Sequence, residues 1–310
     1  MQETQRAKIT VLGSVNMDLM IRSGKLPLPG ETVIADSKVE NPGGKGANQA
    51  VAAARMGAAV TMIGCVGDDS FADQLLQNLQ DAQINTAHIT RRTDTASGVA
   101  VVMVEASGEN AILVVPGANA LVSLVEIEQA KQVICESDLL LMQLEVPQEI
   151  VVAATQIARE AGVRVILDPA PAPLNIQSEL LQVDLICPNQ SEAAALLGKP
   201  VDSIYDAVSL IEELTQLGPK QAIITMAEQG AVVFDGETVE TVPPFVVDVV
   251  DSTAAGDAFA AGLAVRLAEN AALIDAVKFA SAAGALAASG AGAQSAMPTR
   301  EQIEILLKQQ

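Results

Sequence analysis

Asp257 closes the run Val250-Asp251-Ser252-Thr253-Ala254-Ala255-Gly256-Asp257-Ala258-Phe259, where apolar residues give way to small ones and then to a helical pattern. The pattern predicts a strand ending at Val250 and a helix beginning near Asp257. Backbone N–H groups at such a helix start lack intrahelical acceptors and favour anions. Small side chains let a phosphate approach them closely. A carboxylate in the first turn is kept ionised by the positive end of the helix dipole. Two readings stand on local sequence. Either the Asp merely caps a helix, or it takes a proton from an alcohol while neighbouring amides hold charge on a transferring phosphoryl group.

A second cluster is Asn41-Pro42-Gly43-Gly44-Lys45-Gly46-Ala47-Asn48-Gln49-Ala50. It is not a P-loop, because Gly46 follows Lys45 where Ser or Thr is required. It is either a plain turn or a glycine-rich turn feeding a helix, with Lys45 and Asn48 presenting donors to a polyhydroxylated ligand. A third cluster, Pro188-Asn189-Gln190-Ser191-Glu192, follows a predicted buried strand. Ser191 is expected to cap the next helix, with Glu192 a first-turn carboxylate. In the functional alternative Asn189 and Glu192 lie near metal-bound phosphates, since magnesium keeps several waters and needs few carboxylates. The single histidine, His88, is read as a surface or boundary residue, and no nucleophile-elbow pattern accompanies it. Gly13-Ser14-Val15-Asn16 lacks the three-glycine dinucleotide fingerprint, so hydride transfer has little support.

Short apolar runs and amphipathic stretches alternate around these clusters. Buried strands are predicted at Lys8–Leu12, Val60–Gly64, Leu139–Gln143, Val163–Asp168, Leu185–Pro188 and Gln221–Thr225, with helices at Phe71–Ala82, Val125–Cys135, Gln148–Ala161 and Tyr205–Leu217. That order argues for βαβ units around a parallel sheet with helices on both faces. Ala231–Asp235 and Thr238–Val242 flank Gly236 as a hairpin, and two long alanine-rich helices follow. Two segments break the pattern, Met17–Asn41 and Thr95–Val115, each with short strand-like pieces and turn residues. Val99–Glu105 and Ala111–Val115 flank a predicted turn at Ala106–Asn110. These insertions, about 17–41 and 95–115, are expected to form a small sheet able to cover a site at the carboxyl ends of the core strands.

Composition narrows the function further. The 310 residues are half apolar, carry a net charge of −20, and include no Trp, one Tyr and five Phe. Acidity and scarce aromatics argue against nucleic-acid partners, which need a basic footprint or stacking faces. Cys65, Cys135 and Cys187 lack metal or disulfide spacing and are expected to be buried small hydrophobes in a reducing compartment. The polar start shows no signal-peptide pattern, and charges interrupt the stretch Ala254–Ala296, so no membrane span is expected. A cytoplasmic protein is the expectation.

In order and spacing, several motifs together resemble those of the ribokinase-type carbohydrate kinases, the phosphofructokinase-B family. They are Gly13-Ser14-Val15-Asn16-Met17-Asp18, Pro29-Gly30-Glu31-Thr32, the Gly43–Ala50 run, Gln143-Leu144-Glu145, Asn189-x-x-Glu192 and Ala254-Ala255-Gly256-Asp257. The resemblance extends from Gly13 to about Pro298. It implies one α/β domain over 1–310, with a Rossmann-like three-layer α/β/α core, a mostly parallel sheet and a β-sheet lid. It implies ATP-dependent phosphorylation of a sugar, ribose at its 5-hydroxyl being favoured over deoxyribose, fructose or a nucleoside. A non-catalytic sugar-responsive regulator is the alternative from another class. Asp257 would be the catalytic base beside an anion hole at Ala254–Gly256. Asn16, Met17, Asp18, Gly44, Lys45, Gly46, Ala47, Asn48 and Glu145 would hold the sugar, donors and acceptors suited to a neutral polyol. Asn189, Gly256 and the loop Thr225, Met226, Ala227, Glu228, Gln229 and Gly230 would line the ATP phosphates, with Ser281 near the adenine. Glu192 would organise Mg2+ through water. K+ would be held by Asp251, Thr253, Ala287, Gly290, Gly292 and Ala296, largely through backbone carbonyls. A homodimer formed through the lid is expected, because a small exposed sheet is poorly stable alone.

Three positions depart from the family pattern. The loop Thr-x-Gly-x-x-Gly here has Ala227 at its first glycine, which costs about 1–2 kcal/mol if φ is positive there, and Glu228 adds an anion. Ala296 stands where Ser is frequent, and Ala260 where a polar residue or Gly is frequent. Weaker affinity for ATP or potassium is expected, with the chemistry retained.

Overall fold

A computed structural model describes residues 6–105, 110–173 and 176–309. Its strands are β1 (Lys8–Leu12), β2 (Asn16–Ser23), β3 (Ser37–Gly43), β4 (Ala59–Val66), β5 (Asn85–Arg91), β6 (Gly98–Glu105), β7 (Asn110–Val115), β8 (Leu139–Met142), β9 (Arg164–Leu167), β10 (Leu185–Ile186), β11 (Gln221–Thr225), β12 (Ala231–Phe234) and β13 (Val239–Val242). The helices are α1 (Lys45–Arg55), α2 (Ser70–Asp81), α3 (Leu124–Gln129), α4 (Lys131–Cys135), α5 (Gln148–Glu160), α6 (Gln190–Leu197), α7 (Ile204–Gln216), α8 (Ala255–Ala268), α9 (Leu273–Ala288) and α10 (Arg300–Leu307).

Nine strands form the main sheet in the order β13-β12-β11-β10-β9-β8-β1-β4-β5, parallel from β11 through β5. Alternate residues of each strand point to opposite faces. Ile9, Val11, Leu139 and Leu141 join a core under α1, α2, α8 and α9, while Leu12, Leu140 and Met142 join one under α3–α7. Strands buried on both faces read as continuous apolar runs, and the six predicted core strands are all present. Small side chains let α8 and α9 pack closely: a Cβ on Gly262 would lie 3.2 Å from the Ala280 Cα. Among the described residues no helix is long and apolar enough to cross a membrane.

A second sheet of four strands, β3-β2-β6-β7, is built from the two predicted insertions. β2 pairs in parallel with β6 and antiparallel with β3, and its first residue, Asn16, faces Gly43 and Gly98 across the ladder. The turn expected between β6 and β7 falls at 106–109, outside the described residues.

Four expectations need correction. No strand ends at Val250; the last is β13, and Pro243 and Pro244, which lack an N–H to continue a ladder, follow it at once. The helix expected over Val125–Cys135 is two short ones meeting at Ala130. Asn189, not Ser191, caps α6: its Oδ1 accepts the Glu192 N–H at 2.9 Å, and Glu192 returns to the Asn189 N–H at 2.8 Å. Cys135 ends a short helix and is exposed, whereas Cys65 and Cys187 are buried.

Candidate active site

Five neighbouring strands end at one edge of the main sheet, and each hands over to polar residues. β1 leads to Ser14, β8 to Gln143 and Glu145, β9 to Asp168, β10 to Asn189 and Glu192, and β11 to the Thr225–Gly230 loop. Carboxyl ends of strands beside a reversal of strand order are where open α/β sheets bind ligands. The starts of α1 and α8 meet the same edge, as the contacts of Asn48 and Gln49 with Asp257 require.

Asp257 is the third residue of α8, and its side chain is 4% exposed. Its surroundings are polar. Asn48 Nδ2 donates to Oδ2 at 2.9 Å, Gln49 Nε2 to Oδ1 at 3.1 Å, and Lys45 Nζ lies 4.0 Å from Oδ1. A buried charge is tolerated when it is paired and hydrogen-bonded in this way. The partners of this carboxylate come from α1, so it does not merely cap its own helix. α8 has no side-chain cap at all; it starts from Ala254 at φ 61, and the Ala255 N–H turns back to the Ser252 carbonyl. The next two N–H groups, of Gly256 and Asp257, lack intrahelical acceptors. Gly256 is exposed, and beyond its chain neighbours and the backbone of its own helix nothing lies within 4 Å of where its Cβ would stand. Two amides without intrahelical partners therefore start the helix that carries the Asp257 carboxylate, next to an exposed glycine.

The α1 side is built just as tightly. Gly46 must be glycine, because a Cβ would sit 2.7 Å from backbone atoms of Gly13 and Ser14. Glu145 accepts from Ser14 Oγ and from the Lys45 N–H at 3.3 Å, placing its charge at the positive end of α1. Asn119 donates to Asn16 Oδ1 at 2.6 Å and accepts the Val15 N–H at 2.9 Å, fixing the buried Asn16 amide. Met17 and Ala47 turn their side chains into the core, so they can meet a ligand only through backbone.

Asp18 stands beside these groups with Oδ1 buried and unpaired among the described residues. Burial, reinforced by Glu145 and Asp257, pushes its carboxyl up to about 7. In the unfolded chain the same group ionises near its ordinary value of 3.8. Between those values the folded state binds more protons, so raising the pH favours unfolding. The ligand-free protein is therefore expected to lose stability from pH 5 to pH 7, by at most about 1.4 kcal/mol per pH unit for this group. Thermal melts across that range check this, and Asp18→Asn should flatten the slope.

A buried polar chain lies behind Asp257. Gln49 Nε2 donates to Asp168 Oδ2 at 2.7 Å as well as to Asp257, and Gln143 Nε2 donates to Gln49 Oε1. Burial raises the Asp168 carboxyl well above the usual range; Lys45 opposes the shift, and Glu192 and Asp257 add to it. Burial raises Glu192 too. Burial also works against the charge of Lys45, yet Asp257, Asp168, Glu145 and Glu192 outweigh it and hold the ammonium above its ordinary pKa. One cation thus serves four carboxylates. Asp168, Gln49, Ser14 and Asn119 received no role from the sequence. The available signal was a polar residue closing an apolar strand run, as Asp168 closes Val163–Asp168.

The Thr225–Gly230 loop lies next to Asn189, which forms an isolated parallel bridge with Thr225. Met226 is fully buried in the core, and Gln229 Oε1 accepts the Ile204 N–H at 3.0 Å, so neither side chain is turned outward. Ala227 and Glu228 are exposed, and Ala227 has φ 49, the left-handed conformation that penalises a Cβ. Ala227→Gly is expected to stabilise the protein by about 0.5–1 kcal/mol, after allowing for the greater freedom of glycine when unfolded. Urea midpoints measure this. Ser281 is half-buried within α9, with no hydrogen bond to the cluster among the described residues.

Of the residues expected to hold a monovalent cation, Asp251 and Gly292 are joined directly, Ala287 is in the last turn of α9 and Ala296 ends a short 3-10 turn. Asp251 accepts the Thr253 N–H at 2.9 Å and the Gly292 N–H at 3.0 Å. Burial works against its charge, but these bonds outweigh it and hold the carboxyl below its usual range. Gly290 donates to the Ala287 carbonyl and packs against Ala296, whose methyl group supplies no oxygen.

A model of the pfkB family carbohydrate kinases matches residues 6–300. The chain is 40% identical over 299 residues to a ribokinase of Bacillus subtilis, covering 96% of this chain and 99% of that enzyme. It is 37% identical over 295 residues to a deoxyribokinase of Salmonella typhimurium, covering 95% and 96%. Among solved structures, an Arabidopsis thaliana ribokinase complexed with ribose and ATP superposes with a TM-score of 0.90 at 30% identity, covering 98% of this chain and 99% of that one.

Proposed function

The chain belongs to the pfkB family of carbohydrate kinases, and from that premise we propose that it transfers the terminal phosphoryl group of ATP to the 5-hydroxyl of ribose. The observation that carries this reading is the buried Asp257 carboxylate, gripped by Asn48 and Gln49 beside the uncapped start of α8.

In this mechanism Asp257 accepts the proton of the attacking hydroxyl. The N–H groups of Gly256 and Asp257 hold charge on the migrating phosphoryl oxygens, and Lys45 adds a positive charge on the same side. Asn16, Asp18 and Glu145 orient the sugar, the unpaired Asp18 oxygen accepting one of its O–H groups. Backbone at Ala227 and Glu228, with Asn189, faces the nucleotide phosphates, and Ser281 the adenine. The four-stranded sheet closes over the sugar and keeps out water that would otherwise hydrolyse ATP.

Glu192, Asp168 and Asn189 suit an Mg2+ carried with ATP, a hard cation that keeps most of its waters, and it would neutralise charge between the phosphates. Asp251 and the carbonyls of Thr253, Ala287, Gly290, Gly292 and Ala296 suit K+, an all-oxygen donor set. The protein is read as cytoplasmic.

ADP release with ribose, against a sugar-free control, tests the proposal, with magnesium present and potassium varied. A second reading, deoxyribose as the preferred acceptor, draws on the similarity to a deoxyribokinase. The ratio of kcat/KM for the two sugars decides between them, and sugar binding with no ADP release would make the protein a sensor.

The small sheet also supports a homodimer. Val39, Ile112, Leu113, Val114 and Val115 on it are exposed, and consecutive exposed residues on β7 leave both its faces uncovered. Light scattering is expected to give twice the chain mass; a monomer at working concentration would oppose this.

A further inference from the structure

We propose that Gln49 is a positioning residue that sets the orientation of the Asp257 carboxylate, a role that rests on the kinase reading above. Its side-chain amide has one oxygen and two hydrogens, and all three are engaged. Gln143 Nε2 donates to Gln49 Oε1, which turns the NH2 group of Gln49 towards two carboxylates. That nitrogen lies 2.7 Å from Asp168 Oδ2 and 3.1 Å from Asp257 Oδ1. Gln49 is fully buried, so no water competes for either hydrogen.

The preceding residue completes the grip. Asn48 Nδ2 holds the other oxygen of Asp257 at 2.9 Å, and its own Oδ1 accepts from Gln294 Nε2 at 3.1 Å. Each oxygen of the base therefore meets an amide from α1, and each of those amides is anchored from behind. Two fixed points set the plane of a carboxylate, while every oxygen keeps a further lone pair for an incoming hydroxyl. The Asp168 contact fixes the direction of the Gln49 amide. Together with the Gln143 bond it holds the amide from both ends, and losing it weakens one of the two supports of the base. Misplacement of a reacting group by about 1 Å can cost on the order of 10²-fold in rate.

Gln49→Glu tests this directly, because it keeps the shape and replaces a double donor with an acid between Asp168 and Asp257. The introduced acid supplies at most one donor in place of two and sets a carboxyl against the base. The expected kcat deficit is about 10–100-fold, with KM for sugar and ATP within about threefold of the parent. Gln49→Met removes both donors at similar volume, and its kcat deficit should be of similar size. Combined with Asp168→Ala, which removes the acceptor for Gln49, its effect should be less than additive, since both substitutions disable one device. A parental kcat for Gln49→Met or Gln49→Glu, or full additivity in the cycle, overturns the role. Melting temperatures of all variants separate misfolding from mispositioning. Asp257→Asn measured alongside keeps the two proposals apart. Full turnover in that variant sinks the base assignment, whereas an inactive Asp257→Asn with unaffected Gln49 variants sinks only the positioning role.

Discussion

Asp257→Asn is expected to lower turnover by roughly 10²–10⁴-fold, the usual contribution of a positioned general base, while sugar binding stays measurable. The substitution preserves shape but removes the acceptor for the hydroxyl proton. It also places an amide opposite the Asn48 and Gln49 donors, so one of those two contacts becomes donor against donor. The α8 amides proposed to hold the phosphoryl group remain, which is why residual transfer above background is expected. Single-turnover measurements with ATP and isothermal titration with ribose separate the chemical loss from any binding loss. A variant with full turnover would remove Asp257 from the mechanism.

Lys45→Met has the second largest expected effect. The ammonium stands 4.0 Å from Asp257 Oδ1 and counterbalances Asp257, Asp168, Glu145 and Glu192 together. Removing a preorganised charge that faces a transferring phosphoryl group costs about 10²–10³-fold, and kcat/KM is expected to fall by that factor. Stability should suffer as well, and more at pH 8 than at pH 6. At pH 6 Asp168, whose carboxyl burial pushes up to about 8, carries less charge than at pH 8. Less negative charge then depends on Lys45. Equal loss of melting temperature at both values would show that the lysine acts by packing.

The alternation of apolar runs and amphipathic stretches made the central sheet legible, because strands covered on both faces and helices covered on one have distinct periods. The four-stranded sheet was legible too, as two interruptions of that alternation. The structure differs from the sequence reading where one local feature outweighs a pattern. Pro243 and Pro244 end the ladder that the apolar run to Val250 suggested, and Asn189 takes the cap because its Glu192 completes a reciprocal pair. Motifs picked out the residues proposed for the site, but not the side chains that hold them. Gln49, Gln143 and Asp168 lie far apart in the chain and meet only through a shared amide. Met226 shows the opposite failure: membership of a ligand loop says nothing about which way a side chain turns, and this one fills the core.

Asn16 and Asp18 sit at the root of β2, whose other end reaches Ser23 in the covering sheet. Eight residues of extended chain span about 25 Å, so a rotation of about 10° at the root would sweep the far end through roughly 4 Å. On the proposed mechanism, grip on the acceptor and the shutting of the cleft would be one movement, and an acceptor too small to touch Asp18 would leave the door ajar. Wasteful ATP hydrolysis should then rise as the sugar loses the hydroxyl that reaches this carboxylate.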